Sequence, residues 1–192
     1  MSQESDQASC PGTPAESEDQ RPEVETEPVQ AGQAGLLLFV CTGNTCRSPM
    51  AAALFNHFYA GGKYHAESAG LAAVEGEPAS TEAVLVMQRL YGLDLSTHRS
   101  RSIFGVLTEQ NADLILTMTR SQQRLLQQLI PELADRVLTL SEAAGLPAED
   151  VIDPFGQKED AYEQTAFELA ELVFRLASRL DENNGSGQKT EA

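Results

Sequence analysis

The chain has 192 residues, 41% of them hydrophobic, enough for one domain of ordinary size with a core of its own. Its formal net charge of −16 divides as −7 over residues 1–35, −7 over 36–180 and −2 over 181–192, so the acidity is not confined to the ends. An anionic domain suits neither a nucleic-acid backbone nor an anionic lipid surface, and neither partner is expected.

Residues 1–35 hold eight acids against the single base Arg21, and Val24 and Val29 are their only large aliphatics after Met1. Such a stretch cannot bury enough surface to offset its ordering entropy and reads as a disordered acidic tail. It has neither the basic start nor the apolar run of a secretion signal, and no apolar run anywhere approaches a membrane span. With only three cysteines, an odd and sparse number, a disulfide framework is not expected. These features predict a cytoplasmic protein whose thiols are chemical rather than architectural. Cys10, in the tail, reads as an exposed thiol without a role.

The next segment, 36–40, is continuously apolar and predicts a strand. A glycine-bearing loop follows, then a helix over 49–60 with Met50, Leu54 and Phe58 on one face. Ser48 and Pro49 suit the N-cap and first turn of that helix. A second strand is expected over 65–69, ended by Gly70, and a helix over 80–90, stopped by Gly92. A short helix over 107–111 precedes a third strand over 112–118, and a helix over 121–129 follows, with Leu125, Leu126, Leu129 and Ile130 as core or helix-face residues. The segment 136–140 predicts a fourth strand. A long helix over 159–180 offers Phe167, Leu169, Leu172, Val173 and Leu176 for burial. Residues 181–192 read as a second disordered tail, leaving 36–180 as the domain. Short strands, apolar on both faces and separated by helices, predict an α/β fold with a parallel sheet flanked by helices on both faces. Ligands in such sheets sit at the carboxyl ends of the strands, which directs attention to the loop after the first one.

That loop reads Cys41-Thr42-Gly43-Asn44-Thr45-Cys46-Arg47-Ser48. A loop of this length, closed by a helix N-terminus, can wrap one tetrahedral anion in backbone N–H groups. Gly43 and Asn44 tolerate the positive φ such a curl demands. Arg47 supplies a planar fork of donors for two phosphate oxygens. The field that binds phosphate also stabilises a thiolate at Cys41, whose nucleophilic attack on phosphorus the Ser48 hydroxyl would assist. Displacement at phosphorus further needs an acid for the leaving group and a base for water, and Asp153, set in Asp153-Pro154-Phe155-Gly156, sits on a segment that cannot be helical. Residues 42–48 are therefore the candidate phosphate-binding set, with Cys41, Arg47 and Asp153 as the catalytic one. Cys46 lies close enough to condense with an oxidised Cys41, a candidate redox latch. No second cysteine pair stands at metal-ligand spacing, so no metal and no cofactor is expected. His57 and His65 read as solvated or capping side chains.

Taken together, the loop, the strand end Glu67-Ser68-Ala69-Gly70 and Asp153-Pro154-Phe155 resemble the low-molecular-weight protein tyrosine phosphatases over about residues 36–180. The resemblance implies a four-stranded parallel sheet, Cys41 as nucleophile, Arg47 as phosphate clamp, Asp153 as acid then base, and Ser68 and His98 as supports of Asn44. It implies phosphorylated proteins as substrates and inorganic phosphate as product. Thr45 stands where the tyrosine-specific members usually carry a bulkier aliphatic residue, and Phe155 where they often carry tyrosine. In both respects the chain is similar to the bacterial protein arginine phosphatases of the family, and a hydroxyl, a carboxylate and a flat ring form a sensible cradle for a guanidinium. Phosphotyrosine remains the alternative substrate. Arsenate reduction would require further cysteines, and none follows Cys46. A non-catalytic phosphate-binding module would have no use for a nucleophile.

Overall fold

The computed structural model describes residues 34–60 and 62–185, so the expectations for residues 1–33 and 186–192 fall outside the described residues. Strand β1 (Gly35–Cys41) lies at the centre of the sheet, parallel to β2 (Tyr64–Gly70) on one side and to β3 (Leu114–Thr117) on the other. A short β4 (Val137–Thr139) adds beside β3, which completes a four-stranded parallel sheet in the order β2-β1-β3-β4.

Alternation along β1 explains why its sequence is apolar without interruption. Leu37, Phe39 and Cys41 enter a core shared with α1 (Arg47–Phe58), α2 (Thr81–Tyr91) and α6 (Glu159–Gly185). Leu36, Leu38 and Val40 enter a second core, on the opposite face, with Ile103 and Val106 of α3 (Ile103–Glu109) and Leu126 of α4 (Arg120–Leu129). Burial on both faces is what a parallel sheet demands. A 3₁₀ turn (Pro131–Arg136) leads into β4, and a single helical turn, α5 (Leu140–Ala143), follows it. From β1 the chain first moves outward to β2, then returns across β1 to build β3. The strand order thus reverses around β1, and a ligand site is expected beyond its carboxyl end.

Several element ends differ from expectation. The first helix begins at Arg47 rather than 49, α3 spans 103–109 rather than 107–111, and the last helix runs to Gly185 rather than 180. Ile103 and Val106 anchor α3 against the sheet, and the Gly105 between them concealed that spacing. Of the residues offered by the last helix, Leu169, Leu172, Val173 and Leu176 are buried, whereas Phe167 faces solvent. Gly92 does end α2 in the left-handed conformation, with φ 68°.

Candidate active site

The segment Thr42–Ser48 leaves β1 and turns into α1, so one end is fixed by the sheet and the other by a helix. The turn depends on Asn44, whose φ of 58° is the one positive value outside glycine among the described residues. Gly43, expected to share this role, does not adopt a positive φ. Gly70, at the end of β2, matters more, because a β-carbon there would stand 2.7 Å from the Thr42 carbonyl oxygen and 3.0 Å from the Asn44 nitrogen. The loop packs against the strand at a distance that only glycine allows.

Asn44 is completely buried and every polar group of its side chain is used. Its Nδ2 donates to Ser48 Oγ and to Ser68 Oγ at 2.9 Å each, and its Oδ1 accepts from the Arg101 N–H at 2.9 Å. Its carbonyl accepts from His98 Nε2 at 2.7 Å and from Ser100 Oγ at 2.9 Å. Because a carbonyl only accepts, His98 carries its proton on Nε2. Burial pushes the His98 pKa down against the opposing hydrogen bond to the Asn44 carbonyl, and the charges of Arg101 and Arg99 add to the downward shift, which favours the neutral ring. A residue strained at positive φ is thereby locked by five neighbouring residues.

Cys41 Sγ lies beneath this frame, 1% exposed, 3.3 Å from the Asn44 N–H and 3.0 Å from Ser48 Oγ. Ser48, expected as the helix cap, makes no capping bond. Its hydroxyl is engaged with Cys41, Asn44 and the Ala69 carbonyl, and Cys46 occupies the N-cap position without a side-chain bond. The N-terminus of α1 thus has no side-chain cap, which suits an anion site there. Cys46 is 4% exposed, and burial first, with the Cys41 charge second, pushes its thiol up to about 11. Both cysteines are free thiols.

Arg47 is 3% exposed. One terminal nitrogen donates to the Val151 carbonyl at 3.2 Å and the other pairs with Asp153 Oδ2, while the buried Nε–H has no protein partner. A buried guanidinium with an unsatisfied donor is costly unless an acceptor comes to it, and a phosphoryl oxygen is such an acceptor. Asp153 is half exposed, and its second oxygen accepts from the Phe155 N–H at 3.2 Å in a turn that fixes the loop. The carboxylate therefore reaches the phosphate loop from a connection more than a hundred residues away in sequence.

These groups line one cavity of about 260 Å³ that includes Cys41, Thr42, Gly43, Thr45, Cys46, Arg47, Asp153 and Phe155. Phe155 is 70% exposed and forms a wall at the mouth. Ser68 and His98 stand behind Asn44. His57 packs edge-on to Phe58 and His65 lies 3.9 Å from Glu67, both away from the cavity. Sequence reasoning missed Ser100, Ser80, whose N–H and hydroxyl both donate to the Thr45 carbonyl, and Gln122, whose amide donates to Thr42 Oγ1. Single polar residues in loops carry no periodic signal; the dense polar run 96–102 was the one available hint.

A thiol beneath inward amides and a buried guanidinium, at the carboxyl end of a central parallel strand with a carboxylate alongside, defines the class of cysteine-dependent phosphatases. The chain belongs to the low molecular weight phosphotyrosine protein phosphatase family, whose model matches residues 36–186. It is 37% identical over 146 residues to a protein-arginine-phosphatase of Bacillus subtilis, covering 75% of this chain and 95% of that one. Among solved structures, a low molecular weight protein tyrosine phosphatase from T. tengcongensis is 44% identical with a TM-score of 0.71, covering 76% of this chain and 99% of its own. The arginine phosphatase of Geobacillus stearothermophilus is 35% identical with a TM-score of 0.74, covering 82% and 99%. The chain is accordingly a protein phosphatase, a hydrolase that acts on phosphorylated proteins. No helix among the described residues is long and apolar enough to cross a membrane.

Proposed function

We propose that the chain hydrolyses phosphoarginine in proteins through a phosphocysteine formed on Cys41. The amides of residues 42–48 and the Arg47 guanidinium hold the phosphoryl oxygens. Cys41 Sγ attacks phosphorus, the P–N bond breaks, and Asp153 delivers a proton to the departing guanidine nitrogen. Water then attacks the phosphocysteine, Asp153 takes its proton, the P–S bond breaks, and inorganic phosphate leaves. These steps use the chain's own amides and side chains together with water, without metal or cofactor, and suit a cytoplasmic enzyme with reduced thiols that binds neither nucleic acid nor membrane.

The observation that carries the reading is the buried Arg47 Nε–H without a protein partner, in the same cavity as the Cys41 thiol. Arginine is favoured over tyrosine by the Thr45 hydroxyl and Asp153 carboxylate sharing that cavity, since both accept from guanidinium N–H groups, and by the arginine phosphatases among the relatives. The second reading, phosphotyrosine, draws on Phe155, whose exposed ring would flank a phenyl group equally well. Phosphate release from matched phosphoarginyl and phosphotyrosyl peptides separates them. The expected result is a kcat/KM at least about tenfold higher for phosphoarginine, the discrimination that about 1.4 kcal/mol of transition-state binding gives. A preference for phosphotyrosine defeats the assignment.

A further inference from the structure

We propose that Glu77 is a specificity-determining residue whose carboxylate selects a cationic leaving group, the guanidinium of phosphoarginine, and disfavours a neutral phenolic one. The inference rests on the phosphoarginine reading above and deepens it. Glu77 lies in the connection between β2 and α2 and lines the same cavity as Cys41, Thr45, Arg47 and Asp153.

That connection is well anchored against the phosphate loop. The Glu77 carbonyl accepts from the Ser100 N–H at 2.8 Å, the neighbouring Gly76 N–H donates to the Ser100 carbonyl at 2.9 Å, and the Ser80 N–H donates to the Thr45 carbonyl at 2.8 Å. Ser100 is itself bonded to Asn44, so the Glu77 backbone is tied to the same frame that shapes the phosphate site. Its carboxylate, by contrast, has no hydrogen bond or ion pair among the described residues. Nearby acids are engaged: Glu67 with Arg101, Glu75 with the Ser102 N–H, and Asp153 with Arg47.

The electrostatics make a free carboxylate at this place informative. Arg47 is the one cationic residue that lines the cavity, and it is already paired with Asp153. A further carboxylate weakens the binding of any phosphate anion, so it disfavours phosphomonoesters whose leaving group is neutral. A phosphoguanidinium reverses the balance, because it is planar, carries positive charge and presents N–H donors on more than one edge. Asp153, from the loop before α6, and Glu77, from the connection after β2, supply acceptors from two separate elements.

The test compares wild type and Glu77→Gln on phosphoarginyl and phosphotyrosyl peptides with the same uncharged flanking residues, so that only the phosphorylated side chain differs. The substitution is expected to lower kcat/KM for phosphoarginine about five- to tenfold, mainly through KM, and to raise it about twofold for phosphotyrosine, the size expected of one partly exposed charged contact. The ratio between substrates then falls about tenfold or more. Equal changes on both peptides, or an unchanged ratio, overturn the inference. Wild type alone reads the underlying assignment: if it prefers phosphotyrosine that assignment fails, while a ratio still shifted toward tyrosine in Glu77→Gln upholds the role of Glu77. No turnover of phosphoarginine at all overturns both.

Discussion

At the scale of single residues, two buried thiols share one cavity but not one chemistry. Burial pushes Cys46 up to about 11, so at neutral pH it stays a protonated thiol, whereas Cys41 faces an N–H and a hydroxyl suited to hold a sulfur anion. We propose that Cys46 is the resolving residue for Cys41, because both free thiols line the same cavity on one loop, while its high pKa keeps Cys46 from competing as the nucleophile. Peroxide would oxidise Cys41 to a sulfenic acid, and Cys46 would condense with it to a disulfide with loss of water. After prolonged peroxide and then dithiothreitol, wild type should regain most of its activity and Cys46→Ser distinctly less, because an unprotected sulfenic acid proceeds to irreversible states. Equal recovery removes the latch. That Cys41, Arg47 and Asp153 meet in one cavity was foreseeable from the sequence, because a thiol, a guanidinium and a carboxylate set on loops are residue types with a distinct chemical use. Glu77, Ser80 and Ser100 were not, because their contribution is made by where a loop folds back, which spacing does not encode.

At the scale of elements, the segment from His98 to Arg101 acts as a clamp on Asn44, with donors from His98, Ser100 and the Arg101 backbone. His98 carries a signature of that role. Its folded pKa lies below the ordinary value of 6.5, because burial and the nearby Arg101 and Arg99 favour the neutral ring. The unfolded chain therefore binds more protons, and the stability contributed by a neutral His98 is present above about pH 6.5 and is lost as pH falls below it. Thermal midpoints of wild type should fall more steeply below about pH 6.5 than those of His98→Gln, whose amide keeps the donor to Asn44 without titrating. Parallel curves would contradict the assignment. The resemblance pointed to His98, but only the folded clamp reveals why it is neutral. Helix ends were less legible than helix existence. Ser48 has the chemistry of a cap, yet its hydroxyl is taken by Cys41 and Asn44, a tertiary demand that local propensity cannot anticipate.

At the scale of the whole molecule, the architecture was the most legible part, since uninterrupted apolar strands between amphipathic helices leave few arrangements other than a covered parallel sheet. What the sheet contributes to function is position: reversal of strand order around β1 sets the phosphate loop where helix N-terminus, Arg47 and Asp153 converge. The proposed mechanism requires a covalent phosphoryl group passing through Cys41. Rapid quenching of Asp153→Asn during turnover, followed by mass spectrometry of the digested protein, measures this directly. The expected result is a phosphoryl group trapped on Cys41, with turnover slowed by about 10²- to 10⁴-fold because both the leaving nitrogen loses its acid and the attacking water loses its base. Full turnover with no phosphoryl group on Cys41, or label on another residue, would contradict it.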